Sequence, residues 1–538
     1  IADRILVKWM VERLTAEDTG ARLDGIGIPE LCEKRMKMHF GSRTKKTYQL
    51  LLSAYHLLKA ANYSCPDGFR QIVKQYRERD YQIDREYRKF YLRFDKVNFD
   101  EVEREGLRTL VENIYTNEYL AKVMSKWNEG LQEPAAFQEL PLQREFYERY
   151  VRNAKERTVV IISDAMRYEV GEELFRRMLD DPKCSAKLEA QLSVLPSYTR
   201  LGMAALLPHQ TLTMTDDYRV LADGVLCNDL AGREKVLRQH QENGICVRFD
   251  EIKGLKKNEL RDIFTGKQLV YVYHNQIDAR GDKANTEDEV FVACKEAVNE
   301  IADLIRRISS NANTHHFIVT ADHGFIYKRD KLNESDKINV RDKNAFVNRR
   351  FIVSTEAIYE DGIENISMGK ILRNDDNKVV SFPISSNVFK VSGGGQNFVH
   401  GGSSPQEMLI PVLNIKMERG HIDTGNAQIA LVSMVQKITS NVTVLEFIQS
   451  EAVSDTIKAT TYKLYFISDD NEKISNEATL FADSRELDAR KRIFRMNFRF
   501  KDKKYDKNRN YYLAAYDEGS GEEIWRHHVV MDLVGESF

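Results

Sequence analysis

Residues able to hold a divalent cation recur at the ends of short apolar runs in this chain. "FIVT" (317–320) leads into Asp322 and His323 of "TADHGFIY", and "TVVIIS" (158–163) leads into Asp164 and Arg167 of "DAMR". "LVYVY" (269–273) leads into "HNQIDARGD", which carries His274, Asp278 and Asp282. "LPSYTRLGMAALLP" sets Ser197 and Thr199 just ahead of a helix-forming stretch, where free backbone N–H groups favour an anion. "FVHGGSSPQEMLIPVL" adds His400 in a glycine-flanked loop. A lone Asp-His-Gly is usually a turn with a satisfied histidine. Four acids, two histidines and a hydroxyl on such loops instead suit two divalent ions sharing one phosphate, with oxygen and imidazole ligands rather than thiolates.

That chemistry requires the apolar runs to be neighbouring strands. Their β-branched and aromatic residues read as buried parallel strands. Between "LVYVY" and "FIVT" lies "TEDEVFVACKEAVNEIADLIRRISS", in which Thr286 and Glu289 have capping-box spacing. Val290, Cys294, Ala297, Ile301, Leu304, Ile305 and Ile308 fall on one helical face. Strand, helix, strand predicts a right-handed crossover in an α/β core over 156–416. Ligands in such sheets collect beyond the carboxyl ends of the strands, where Asp322 and His323 stand.

Two further regions flank that core. Residues 1–150 read as a helical domain, with apolar residues recurring at three and four positions. Within it, "YRERDYQIDREYRKFYLRF" interleaves aromatic and basic residues, a pattern that fits nucleic-acid contact. Its acids Glu78, Asp80, Asp84 and Glu86 interrupt any basic stripe and favour an amphipathic helix with a solvated face. Residues 425–538 carry strand-like runs separated by charged turns, and a β-sandwich is expected.

Composition excludes more than it selects. Lysine plus arginine (80) nearly cancels aspartate plus glutamate (82), so overall charge gives no argument for a polyanion or a membrane surface. The six cysteines are scattered without a CxxC pair, which fits a reducing, cytoplasmic setting. No apolar run approaches a membrane span, and no signal segment opens the chain. The sequence enters helix-like residues directly at Ile1, so an upstream part is expected.

In sequence order, the Asp of "SDAMR", the Thr of "PSYTR", the Asp of "HNQID", the Asp-His of "TADHGF" and the His of "VHGG" resemble the metal-site motifs of the alkaline-phosphatase superfamily. More narrowly, "SDAMRYE", "LPSYTRLGMAALLP", "YHNQIDARGD", "TADHGFIY" and "HGGSSPQEMLIPV" resemble the PglZ family of BREX phage-defence systems. The resemblance implies an alkaline-phosphatase-like α/β core with a mostly parallel sheet, here preceded by the helical domain and followed by the β-sandwich. It assigns one ion to Asp164, Thr199, Asp322 and His323, and the other to Asp278, Asp282 and His400. The superfamily commonly has histidine where Asp282 stands, so the site is richer in oxygen, which favours Mn²⁺ or Mg²⁺ over Zn²⁺.

The same resemblance implies a mechanism. Thr199, activated by one metal, attacks phosphorus in line, the other metal stabilises the leaving oxygen, and water then hydrolyses the phosphothreonine. Ser197 shapes the turn. Arg167 and Arg200 are candidates to clamp phosphate oxygens, with Glu169 and Glu407 as alternative partners. His274 reads as a packed strand-end histidine. The expected substrate is a phosphate ester, mono- or diester, with DNA among the diesters, and the expected partners are other BREX defence proteins. The competing reading is a scaffold that keeps its metals for stability while the flanking regions bind those partners.

Overall fold

The β-branched and aromatic runs pair into one six-stranded sheet: β1 (Thr158–Ser163), β2 (Cys184–Leu192), β3 (Gly244–Arg248), β4 (Leu269–His274), β5 (His316–Thr320) and β6 (Leu409–Met417). The computed structural model describes residues 2–38, 41–97, 101–133, 135–340, 345–391, 397–418, 425–454 and 457–533. The outermost ends of the expected flanking domains, Ile1 and 534–538, lie outside these. The strand order is β2-β6-β5-β1-β4-β3. Strands β5, β1, β4 and β3 are mutually parallel, whereas β6 is antiparallel to β5, and β2 to β6. The sheet is therefore mixed, with a parallel half and an antiparallel edge. β1, β4 and β5 are buried along their whole length, as strands covered on both faces must be.

Strand register decides where the acidic residues emerge. Ile162 on β1 lies opposite Thr320 on β5, and Ser163 opposite His274 on β4. Two residues beyond the Ile162–Thr320 pair, Asp164 and Asp322 leave adjacent strands at the same level.

The crossover from β4 to β5 runs through the helix Val290–Ala312, and its seven expected face residues are all buried. The expected capping box does not form. The Thr286 hydroxyl donates to the Arg280 carbonyl at 2.8 Å, and a short 3-10 turn, Glu287–Glu289, precedes the helix instead.

The helical segment and this core share one compact unit, Ile1–Glu418. Position 150 is thus no break between compact units, because one continuous apolar core runs from Val7 to Met417. The helix Tyr81–Phe94 buries Tyr87, Phe90, Tyr91 and Phe94, but also Asp84 and Arg88. Gln82 is exposed and Arg85, Glu86, Lys89 and Arg93 are partly exposed, as the sequence pattern predicts, but Asp84 and Arg88 are not solvated. Arg88 grips Glu169 through two nitrogens (2.8–3.1 Å), and Asp84 pairs with Arg167 at 2.8 Å; all four side chains are buried. Unpaired, any one of these charges would be strongly destabilising.

The second unit, Arg419–Phe538, holds a five-stranded and a three-stranded sheet over a core that includes Phe447, Phe466, Phe498 and Leu513. Among the described residues, no helix is long and apolar enough to cross a membrane.

Candidate metal centre

Asp164 follows β1 directly, and its N–H donates to the His274 carbonyl on β4 at 2.8 Å. The next residue, Ala165, sits at φ +64, a left-handed conformation that residues with a side chain adopt rarely and that concentrates at functional sites. This turn aims the Ala165 N–H at Asp322 Oδ1, 3.1 Å away. One oxygen of Asp322 is thereby fixed. The other, Oδ2, faces His323 Nε2 at 3.3 Å, and Asp164 Oδ1 faces the same nitrogen at 3.6 Å.

The proton on His323 can be assigned. Its Nδ1 lies 2.9 Å from the Gly324 carbonyl, which can only accept, so Nδ1 carries the hydrogen and Nε2 a lone pair. Burial, reinforced by His400, holds His323 well below the usual imidazole range, so the ring is neutral. Thr199 Oγ stands 3.1 Å from that Nε2 and donates to it.

Thr199 opens the helix Thr199–Ala205, and a glycine sets how near that helix comes. A Cβ on Gly202 would lie 2.3 Å from the Asp322 carbonyl oxygen, so only glycine lets the helix rest on the loop carrying Asp322. Behind the same loop, the buried Gln143 amide donates to the carbonyls of Asp322 (2.7 Å) and Ala321 (3.2 Å). Its oxygen accepts from the Val194 N–H at 3.1 Å, just upstream of Thr199.

His400 arrives from the other side. The Ser197 hydroxyl donates to the Gly402 carbonyl at 2.7 Å, and the Ser197 N–H to the Gly401 carbonyl at 3.1 Å. Glu407 accepts from the Gly402 N–H at 2.9 Å and is clamped by Arg350 through two bonds of 3.0–3.1 Å. Trp127, from the helical segment, donates to Ser403 at 3.1 Å. So held, the His400 ring stacks on His323 with centroids 4.1 Å apart, and its Nε2 lies 3.6 Å from Asp278 Oδ1.

Two groups of ligand atoms result: Asp164, Asp322 and His323, and Asp278, His323 and His400, the atoms of each lying within 4.8 Å of one another. A cation fits them on the chemistry of the atoms. Asp164 Oδ1, Asp322 Oδ2 and Asp278 Oδ1 are buried without a hydrogen-bond donor, and the first two face a nitrogen lone pair. Acceptors facing acceptors need a proton or a metal between them. Consistently, burial and then repulsion from Asp322 and Asp278 hold Asp164 well above the usual carboxylate range, and burial pushes Asp322 up to about 7. Asp278 is raised by burial, with His400 opposing and Asp282 adding to the shift. Buried carboxyls of this kind discharge onto a divalent ion.

Several expected roles change. Asp282 is exposed, ends the helix Ile277–Gly281 and belongs to neither group, although its charge acts on Asp278. Arg167, expected as a phosphate clamp, is paired with an acid of the helical segment. Its guanidinium is buried against Asp84, and lies 5.1 Å from the centre of the Phe325 ring. Glu169 and Glu407 are taken by Arg88 and Arg350. Arg200 is exposed beside Thr199 and has no ion-pair partner among the described residues. Ser197 is buried in the turn as expected, and His274 is packed between Ser163 (3.2 Å) and Glu300 (3.0 Å).

Sequence reasoning missed Arg233, the cation whose charge opposes the rise of the Asp164 pKa. It lies over the Tyr273 ring at 4.9 Å and donates to the Cys227 carbonyl at 3.1 Å. It also missed Gln143, Arg350 and Asp84, which sit far from the motifs they support. No spacing rule marks them. Their partners do fall within the motifs: Asp322 in "TADHGFIY", Glu407 in "HGGSSPQEMLIPV" and Arg167 in "SDAMRYE".

Residues 143–415 match the family model described as the BREX system PglZ alkaline phosphatase-like domain. The alkaline phosphatase-like protein PglZ of Bacillus cereus (strain H3081.97) is 36% identical over 96% of this chain and 62% of its own length. The alkaline phosphatase-like protein BrxZ of Escherichia coli O9:H4 (strain HS) is 29% identical over 99% of this chain and 64% of its own length. The chain thus spans less than two thirds of either curated relative. Among solved structures, murine ectonucleotide pyrophosphatase/phosphodiesterase 5 matches 48% of this chain and 88% of its own at 11% identity, with a TM-score of 0.35.

Proposed function

Because this chain belongs to the PglZ family of BREX systems, whose alkaline phosphatase-like domain covers just over half of it, we propose that it hydrolyses phosphate esters with Thr199 as nucleophile and two divalent ions as cofactors. The observation that supports this reading is the meeting of the Thr199 hydroxyl with unpartnered carboxylate oxygens and a neutral imidazole nitrogen in one buried cluster.

Asp164, Asp322 and His323 would hold one ion beside Thr199, and Asp278 and His400 would contribute to holding the other. When bound, Zn²⁺, Mn²⁺ or Mg²⁺ would supply Lewis-acid stabilisation of phosphate charge and lower the pKa of the threonine hydroxyl. Thr199 Oγ would form the new P–O bond as the ester P–O bond breaks, and water would then release the phosphate from threonine. Ala165 N–H and Gln143 orient Asp322, while Ser197 and Glu407 hold the His400 loop.

Charge favours a diester. Three carboxylates, Asp164, Asp278 and Asp322, converge there and would offset three of the four positive charges of two divalent ions, so a singly charged diester is enough to balance the loaded centre. A nucleotide or nucleic-acid diester, cleaved alongside other BREX proteins, is the proposed context. The test is hydrolysis of mono- and bis-p-nitrophenyl phosphate and of DNA by metal-loaded protein, with Thr199→Ala as control. Full metal occupancy with no hydrolysis above that control would leave the scaffold reading in its place.

A further inference from the structure

Gln143, which holds the Asp322 carbonyl, also lines a cavity of about 210 Å³ whose chemistry the metal centre does not use. Its floor is apolar: Leu142 bridges Leu192 at the end of β2, with the Phe137 ring beside them. Its remaining charge is of one sign. Arg144, Lys370 and Arg373 line it, and no carboxylate does.

Packing alone does not explain these three cations. Arg144 is half-buried and donates one N–H to the Ile371 carbonyl at 3.3 Å. Burial, and then the nearby Arg373, lower its pKa, so the two guanidinium groups repel. Arg373 sits at φ +52 after the helix Met368–Leu372, a left-handed conformation that residues with a side chain adopt rarely. Its acidic partner is Glu145, 2.8 Å away and outside the lining. The Lys370 ammonium lies over Phe137, 5.0 Å from the ring centre. Three cations against one carboxylate at the margin leave about two positive charges uncompensated over an apolar floor. That is the complement of a dianion carrying an apolar body. A volume below the ~300 Å³ at which pockets for whole drug-sized ligands begin limits that body to about one ring system.

We propose that this cavity binds a small organic phosphate, its ring on Phe137, Leu142 and Leu192 and its dianionic phosphate held by Arg144, Lys370 and Arg373. Gln143 makes the cavity wall continuous with the loop of Asp322, yet none of the three cations belongs to the metal cluster. The site therefore stands whether or not Thr199 is the nucleophile.

The test is isothermal titration calorimetry of phenyl phosphate and AMP into the Thr199→Ala protein, both metal-loaded and stripped of metal with EDTA; the substitution removes turnover and the stripping removes ester binding through the metal ions. In the stripped protein one phosphate ester is expected to bind per chain, with an affinity that falls at least tenfold in Arg144→Gln/Arg373→Gln. It should recover largely in Arg144→Lys/Arg373→Lys, and inorganic phosphate should bind more weakly than either ester. Thermal melts of the variants check that they fold; should the glutamine pair not fold, Lys370→Gln alone must weaken binding at least threefold. Affinity unchanged by these substitutions, inorganic phosphate binding as tightly as the esters, or neither ester binding at millimolar concentration would each overturn the proposal.

Discussion

His323 and His400 lie face to face, ring centres 4.1 Å apart and planes within 7° of parallel, although they come from different loops. The single Nε2 lone pair of His323 can bind only one ion, the one proposed beside Asp164 and Asp322, while Asp278 and His400 would contribute to the other. His323→Asn and His400→Asn are therefore each expected to lose one ion, and the double variant both. Elemental analysis of the purified variants decides it: loss of both ions from either single variant would show that the two sites do not fill independently.

Thr199→Ala is expected to abolish hydrolysis while retaining most bound metal, because in the proposed mechanism its hydroxyl would be one ligand among several but the only nucleophile. Ser197→Ala loses a buried bond to the Gly402 carbonyl and should cost about 1 kcal/mol of stability while keeping substantial activity. Urea denaturation and turnover of bis-p-nitrophenyl phosphate separate the two. The opposite ranking in turnover would make Ser197 the nucleophile.

Asp84→Asn and Arg167→Gln each leave one buried charge without its counterpart and should destabilise by ~3–5 kcal/mol. The change should appear in the denaturation midpoint, with KM little altered in whatever protein remains folded. A stable Arg167→Gln protein with a strongly raised KM would restore this arginine as a phosphate ligand.

Asp282→Asn should retain both ions and shift kcat/KM for the mono- and bis-esters by no more than about threefold, since an exposed charge is screened by water and salt. Loss of an ion on this substitution, read by elemental analysis, would place Asp282 among the ligands.

How far the amino-acid order alone discloses each residue depends on the range of the interactions involved. Asp164 and Asp322 are legible because two buried runs of β-branched residues have to pair, and parallel register then sets residues two beyond the Ile162–Thr320 pair side by side. Thr199 is legible from the turn and helix start around it. Arg167 is not, because its partner Asp84 lies in a distant helix whose polar face reads as solvated until a second layer covers it. Asp282 misleads for the converse reason. Its spacing from Asp278 is one helical turn, but the short helix ends there and leaves the side chain in water. Arg233 offers no local signal at all. Its part depends on how the chain between β2 and β3 folds back over β4.

The buried pairs Arg88–Glu169 and Asp84–Arg167 also bear on how such a protein can change over time. Each pair joins the helical segment to the first turns after β1, a few residues from Asp164. A helical segment exchanged between relatives by recombination must bring both complementary charges with it, or it strands two ions in an apolar interior. The segment and the alkaline phosphatase-like core are consequently expected to be inherited as one piece, and chimaeras joined near residue 150 should fold only where Asp84 and Arg88 are matched by Arg167 and Glu169.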